Sequence, residues 1–211
     1  MEATRVVTAW DFDGTLSTRD NVVPFLRYAV GNGTFARAVS ATAPRIALAA
    51  LRDDERNAAK AALLRRVFAG YDVARFEQQA HDFAAIVIAK YLRSEAVERA
   101  AWHRDQGHEL VIVSASLRSY LDPIAEHLGF DAVLATELAV GDDGRLTGEL
   151  RGANVRRAEK ARRLDEWLAE TGSDAYVWAY GDSNGDRELF ERADQSIRVG
   201  RRVRRWPSRW S

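Results

Sequence analysis

The chain has 211 residues, with 31 lysines and arginines balanced by 31 acids, 46% hydrophobic residues and no cysteine. The length suits one α/β domain or a core with an inserted subdomain, and the zero net charge leaves no footprint of a nucleic-acid binder. The missing cysteine excludes disulfides, thiolate metal sites and a cysteine nucleophile, and fits a reducing, cytoplasmic setting.

Thr4 to Trp10 is a short apolar run rich in β-branched residues and predicts a buried strand. It ends in Asp11-Phe12-Asp13-Gly14-Thr15, where glycine permits a sharp turn. Asp20 suits the cap of a helix over Asn21 to Val30, which Gly31-Asn32-Gly33 should end. Thr34 to Leu92 is Ala-rich with apolar residues at three- and four-residue spacing, so it predicts helices throughout. Breaks are expected at Arg52-Asp53-Asp54 and Gly70-Tyr71-Asp72. Phe68, Phe76, Phe83 and Ile86 fit core-facing positions. The most apolar part, Phe35 to Leu51, is interrupted by Arg37, Pro44 and Arg45, so no membrane span is expected. The N-terminus lacks the pattern of a secretory signal.

Ser94 should cap a helix from Glu95 to Gln106. Glu109 to Val113 reads as a second strand, ending at Ser114-Ala115-Ser116, and a helix runs on through His127. Ala132 to Val140 and Arg145 to Leu150 flank Gly141-Asp142-Asp143-Gly144, a hairpin signal. A helix is expected over Val155 to Thr171, and Ala175 to Tyr180 is a third apolar strand. Gly181-Asp182-Ser183-Asn184-Gly185-Asp186 follows it, then a short helix to Arg192 and a last strand over Ser196 to Val199. This order predicts an α/β fold, a Rossmann-like parallel sheet with an all-helical cap inserted after the first strand. The core would take residues 1–16 and 93–211, and the cap 17–92.

Asp11 and Asp13, two apart in extended chain, point to one side at the carboxyl end of a strand, where α/β sheets bind ligands. Alone the pair could be a solvated turn. If the three strands are neighbours, Ser114, Asp182 and Asp186 converge on the same crevice. Several carboxylates at one point need a hard cation, and a set of oxygen ligands favours Mg²⁺. Ser114 and the open amides beside it suit phosphate oxygens. Lys160 is one of only three lysines in an arginine-dominated chain. It is either a solvated helix residue or the compact positive charge that the crevice lacks.

Asp11 to Thr15, Ser114 after its strand, Lys160 opening a helix, and Gly181 to Asp186 together resemble the four motifs of the haloacid dehalogenase superfamily. The order, with a helical insert after the first motif, resembles its phosphoserine-phosphatase-like branch. Within it, WDFDGTLSTRDNVVPFLRY and ELVIVSASLRSYLDPIAEHLGFDAVLATEL look most like a group of uncharacterised hydrolases and phosphatidylglycerophosphate phosphatases. The resemblance implies a Mg²⁺-dependent phosphatase acting on a small phosphorylated metabolite. Asp11 would be the nucleophile that carries an aspartyl-phosphate, and Asp13 the acid and base. Asp11, the Asp13 carbonyl and Asp182 would hold the metal, with Asp186 behind them. Thr15, Ser114 and Lys160 would hold the phosphoryl group.

The cap would choose the leaving group. Phosphoserine phosphatases carry a glutamate nine residues after the nucleophile and an arginine in the cap. Asp20 and Arg66 are the candidates for those roles, with helix capping and surface charge as their plainer readings. Ser114-Ala115-Ser116 departs from the family's Ser-Gly-Gly, which puts phosphoserine in doubt. A lipid phosphate handled at the membrane surface and a phosphate-binding module without turnover are the alternatives. The basic and aromatic tail Arg201 to Trp206 could touch anionic lipid or nucleic acid, or be a solvated end whose tryptophans pack on the core, which leaves peripheral membrane contact open. His81, His103, His108 and His127 show no ligand spacing.

Overall fold

Alternation along the apolar strands decides how the sheet is covered. In β1 (Val6–Trp10), Val7 and Ala9 join one core cluster and Trp10 the other. β3 (Glu109–Leu117) sends Val111 and Val113 to the first cluster, and Leu110 and Ile112 to the second. β7 (Tyr176–Gly181) splits Val177 and Ala179 from Tyr180 in the same way. Both faces are therefore buried, as a parallel sheet requires. The computed structural model describes residues 5–51, 55–172 and 174–200. The expected break at 52–54 and the tail from Arg201 to Trp206 lie outside them.

With β4 (Ala132–Thr136) and β8 (Gln195–Arg198), the strands form a five-stranded parallel sheet in the order β4-β3-β1-β7-β8. β1 is central, and its carboxyl end lies between those of β3 and β7. α4 (Ser94–Asp105) and α5 (Arg118–Leu128) cover one face with Ala96, Ala100, Leu121 and Ile124. α6 (Ala158–Thr171) and α7 (Arg187–Arg192) cover the other with Leu164, Leu168 and Leu189.

The insert after β1 holds α1 (Val22–Leu51), α2 (Glu55–Phe68) and α3 (Val73–Lys90). Gly31, at φ 76°, kinks α1 rather than ending it, so helix resumes at once. Phe68, Phe76 and Phe83 are buried around Phe25, with ring centroids 5.3–6.2 Å from it; Ile86 is half-buried. The insert departs from helix at β2 (Tyr71–Asp72), which pairs with the core hairpin of β5 (Leu138–Val140) and β6 (Arg145–Leu150). The expected single strand over 132–140 is thus two strands in different sheets, because the chain leaves the main sheet at Glu137. Gly148, at φ 79°, lets α2 close onto the hairpin; a Cβ there would stand 2.7 Å from Arg65 Cα.

Beneath α4, Trp10 and Tyr180 stack at 3.8 Å. The Tyr180 hydroxyl accepts from Arg99 Nε at 2.9 Å and meets His103 Nε2 at 2.6 Å. Burial, with the Arg99 charge, pushes His103 down to about 3, so it is neutral at ordinary pH and serves packing. Among the described residues no helix is long and apolar enough to cross a membrane.

Candidate active site

The chain turns sharply as it leaves β1. Gly14 takes φ 80°, and the Ser17 amide closes the loop onto the Phe12 carbonyl at 2.9 Å. A Cβ on Gly14 would lie 2.2 Å from Asp182 Oδ2, so only glycine lets this loop approach the one after β7. Asp11, Asp182 and Asp186 come together there, each offering a carboxylate oxygen within 4.8 Å of the others.

Lys160 sits among them, 3% exposed, with Nζ 2.5 Å from both Asp11 Oδ1 and Asp186 Oδ1. It is placed by a strained cap. Arg157 adopts φ 56° and donates its amide to the Gly185 carbonyl at 3.1 Å. This is why α6 starts at Ala158, three residues later than its apolar pattern suggests. Burial opposes the charge on Lys160, but the two carboxylates outweigh it and hold the ammonium above its ordinary range. Burial and Asp186 push Asp11 up against the pull of Lys160, and burial with Asp186 raises Asp182.

Three carboxylates around one ammonium leave an excess of negative charge. Asp186 is already committed, since its Oδ2 accepts from the Asp182 amide, the Ser183 amide and the Ser183 hydroxyl at 3.0–3.2 Å. Asp11 and Asp182 are left as oxygen donors facing the crevice, a set that fits a hard divalent cation.

Asp13, half-buried, is held from both sides. Its Oδ1 accepts from the Asn21 amide at 3.0 Å and from Asn21 Nδ2 at 2.8 Å. Its Oδ2 lies 2.5 Å from Ser116 Oγ. Burial and the nearby Asp20 charge push Asp13 up to about 6, against these hydrogen bonds. A hydroxyl both donates and accepts, so Ser116 can serve either protonation state of Asp13.

Asp11, Asp13, Asp20, Ser114, Lys160, Asp182 and Asp186 all line one cavity of about 520 Å³. Thr15 is fully buried behind Asp11, with Oγ1 3.3 Å from Asp11 Oδ2. Asp20 accepts from the Val22 amide at 3.0 Å, so it caps α1 while facing the crevice. Arg66 is not brought to the site. Leu64, Val67 and Phe68 bury their face of α2 and turn Arg66 to solvent. Lys60 reaches inward instead. Its Nζ donates to the Ala115 carbonyl and, at 2.6 Å, to Asn154 Oδ1. Arg93 donates to the carbonyls of Gly14 and Thr15 at 3.0 and 3.2 Å. Arg156 lines the same cavity, and Asn21, Lys60, Arg93 and Ser116 join the site through the contacts above, none of them marked by a local motif; the one signal for Lys60 is the scarcity of lysine in the chain.

Residues 8–191 match the family model of the haloacid dehalogenase-like hydrolases. Protein CicA of Caulobacter vibrioides is 37% identical over 193 residues, 90% of this chain and 84% of that protein. A phosphoserine phosphatase of Archaeoglobus fulgidus is 35% identical over 95 residues, 44% of this chain and 27% of its own length. A substrate-bound phosphoserine phosphatase structure superposes with TM-score 0.63 at 21% identity, over 93% of this chain and 87% of that one. The chain belongs to the haloacid dehalogenase-like hydrolase family.

Proposed function

We propose that this chain is a Mg²⁺-dependent phosphatase that hydrolyses a small phosphate monoester through an aspartyl-phosphate on Asp11. Family membership, the phosphatases among the relatives and an acid at Asp13 support a phosphoric monoester hydrolase. The observation that carries the finer reading is the placing of Asp11 against Lys160 Nζ at 2.5 Å, with Asp182 and Asp186 alongside and Asp13 two residues on.

An Asp11 oxygen attacks phosphorus and the bond from phosphorus to the alcohol oxygen breaks. Asp13, pushed up to about 6, gives its proton to the departing alkoxide. Asp13 then takes a proton from the water that attacks the aspartyl-phosphate, releasing inorganic phosphate and restoring Asp11. Lys160 holds Asp11 in place and offers positive charge to the transferring group, while Ser114 and the amides beside it offer donors. A Mg²⁺ held by the carboxylates of Asp11 and Asp182 and the carbonyl of Asp13 would supply the remaining charge neutralisation.

The test is phosphate release from an aryl phosphate by the purified chain. Release should stop in chelator and return with Mg²⁺. Asp11→Asn should form no trapped phosphoenzyme, and Asp13→Asn should slow turnover by roughly 10²–10⁴-fold. Full activity in chelator would remove the metal, and near-normal turnover by Asp11→Asn would remove the nucleophile.

A further inference from the structure

A second cavity, also about 520 Å³, lies between α1 and α2. It shares Asp13, Asp20, Ala115 and Arg156 with the carboxylate crevice. Asp13 therefore stands on the boundary between the two spaces, where the acid that protonates a leaving group belongs.

The chemistry of the two spaces differs. Leu26 and Leu64 are fully buried in the wall of the second, and Phe35, Val39 and Leu63 continue it. The polar groups at its core end are largely engaged with each other. Lys60 Nζ is on Asn154 Oδ1, which also accepts from Thr136 Oγ1 at 3.0 Å, and Asn154 Nδ2 donates to Asn57 Oδ1 at 2.7 Å. Asp20, Arg27, Arg56 and Arg156 also line the space, with Asp20 on the Val22 amide and the Arg27 guanidinium 5.0 Å from the Phe35 ring centroid. The charged groups of an amino-acid leaving group would have to displace existing contacts while losing water against the aliphatic walls. An alkyl or ring body would gain by burial, and the size is that of an ordinary small-molecule site.

We infer that this cavity receives the alcohol side of the substrate, and that the alcohol carries an apolar body with at most a hydrogen-bonding group near the ester, within reach of Lys60. The inference rests on the phosphatase reading of the neighbouring crevice. It names an amphipathic phosphate monoester in place of a phosphorylated amino acid.

Straight-chain alkyl phosphates from ethyl to octyl, kept below micelle formation and compared with phosphoserine, test it. Each added methylene should raise kcat/KM about fourfold until the cavity is filled, and hexyl phosphate should be preferred to phosphoserine. A flat or falling series with phosphoserine preferred overturns the inference. Leu63→Gln and Val39→Ser should each lower the ratio of octyl to ethyl kcat/KM by about tenfold; unchanged ratios in both overturn it. If no ester is hydrolysed the phosphatase reading fails. Calorimetric binding of the same series then still decides this one, tighter binding with length supporting it and equal binding overturning it. A single-chain lipid phosphate in phosphatidylcholine vesicles identifies the source. Preference for the vesicles points to a membrane lipid and preference for the free alkyl esters to a soluble metabolite, both within the inferred class.

Discussion

Lys160 and Lys60 are both drawn from solvent toward the same crevice, yet the two regions treat their ammonium groups in opposite ways. Lys160 lies between two carboxylates, which raise its pKa despite full burial. Lys60 has a carbonyl and an amide oxygen as partners, and burial lowers it to about 8. In the carboxylate crevice the ammonium has fixed carboxylate partners. In the cavity between α1 and α2 a cation borders apolar walls, held by neutral acceptors. The first arrangement suits the phosphoryl group common to every substrate; the second suits recognition of a variable alcohol.

Replacing the two lysines should separate these roles most sharply. Lys160→Met leaves Asp11 and Asp186 buried without their counter-charge, and should cost about 3–5 kcal/mol of stability in chelator. Urea denaturation measures it, and added divalent cation should recover part of the loss by occupying the same carboxylates. A loss below about 1 kcal/mol would break the contrast between the regions.

Lys60→Met should show its effect through pH. The folded chain holds the Lys60 proton less tightly than the unfolded chain, down from 10.5 to about 8. The unfolded state therefore binds more protons between those values. Wild-type stability should rise relative to Lys60→Met as pH climbs through this window, by at most about 1.4 kcal/mol per pH unit. Denaturation curves at three pH values across it suffice. A constant difference would mean that the ammonium is fully hydrated.

The smallest effect is expected at Arg66. It is exposed on the outer side of α2, so Arg66→Ala should change stability by less than about 0.5 kcal/mol. It should leave kcat/KM within about twofold, where a substrate clamp would give roughly 100-fold. Parallel kinetics on aryl and alkyl phosphates read both.

Arg66 also shows where the sequence stops being legible. The apolar residues of α2 run around much of the helix, Ala59, Ala61, Leu63, Leu64 and Val67 among them, so spacing alone does not say which face meets the crevice. Packing on β6 and the kinked α1 chooses that face, and it brings in Lys60. The carboxylates were legible for the opposite reason. Asp11, Asp13, Asp182 and Asp186 sit at the ends of strands whose apolar runs are contiguous, so strand order alone brings them together. Ser116 was not legible, because it reaches Asp13 across 103 positions with no signal of its own. Lys160, 149 positions from Asp11, was marked by the scarcity of lysine and by its place at the start of a helix. The two strands in 132–140 escaped for a local reason, since apolar alternation continues through the point where the chain changes sheets.

The two segments that link core and insert have a consequence for modular redesign. Ser17 bridges to Leu92, the Thr18 amide donates to the Tyr91 carbonyl, and the Arg93 amide to the Leu16 carbonyl, both at 2.8 Å. Arg93 also grips the carbonyls of Gly14 and Thr15, while Asn21 at the head of α1 supplies two of the donors on Asp13. A seam cut between Leu16 and Ser17 would look clean in the chain and run straight through this bonding. Any transplanted lid must bring an amide donor equivalent to Asn21 and meet an arginine equivalent to Arg93. Without them a grafted protein would inherit the new specificity pocket and lose the alignment of its proton donor.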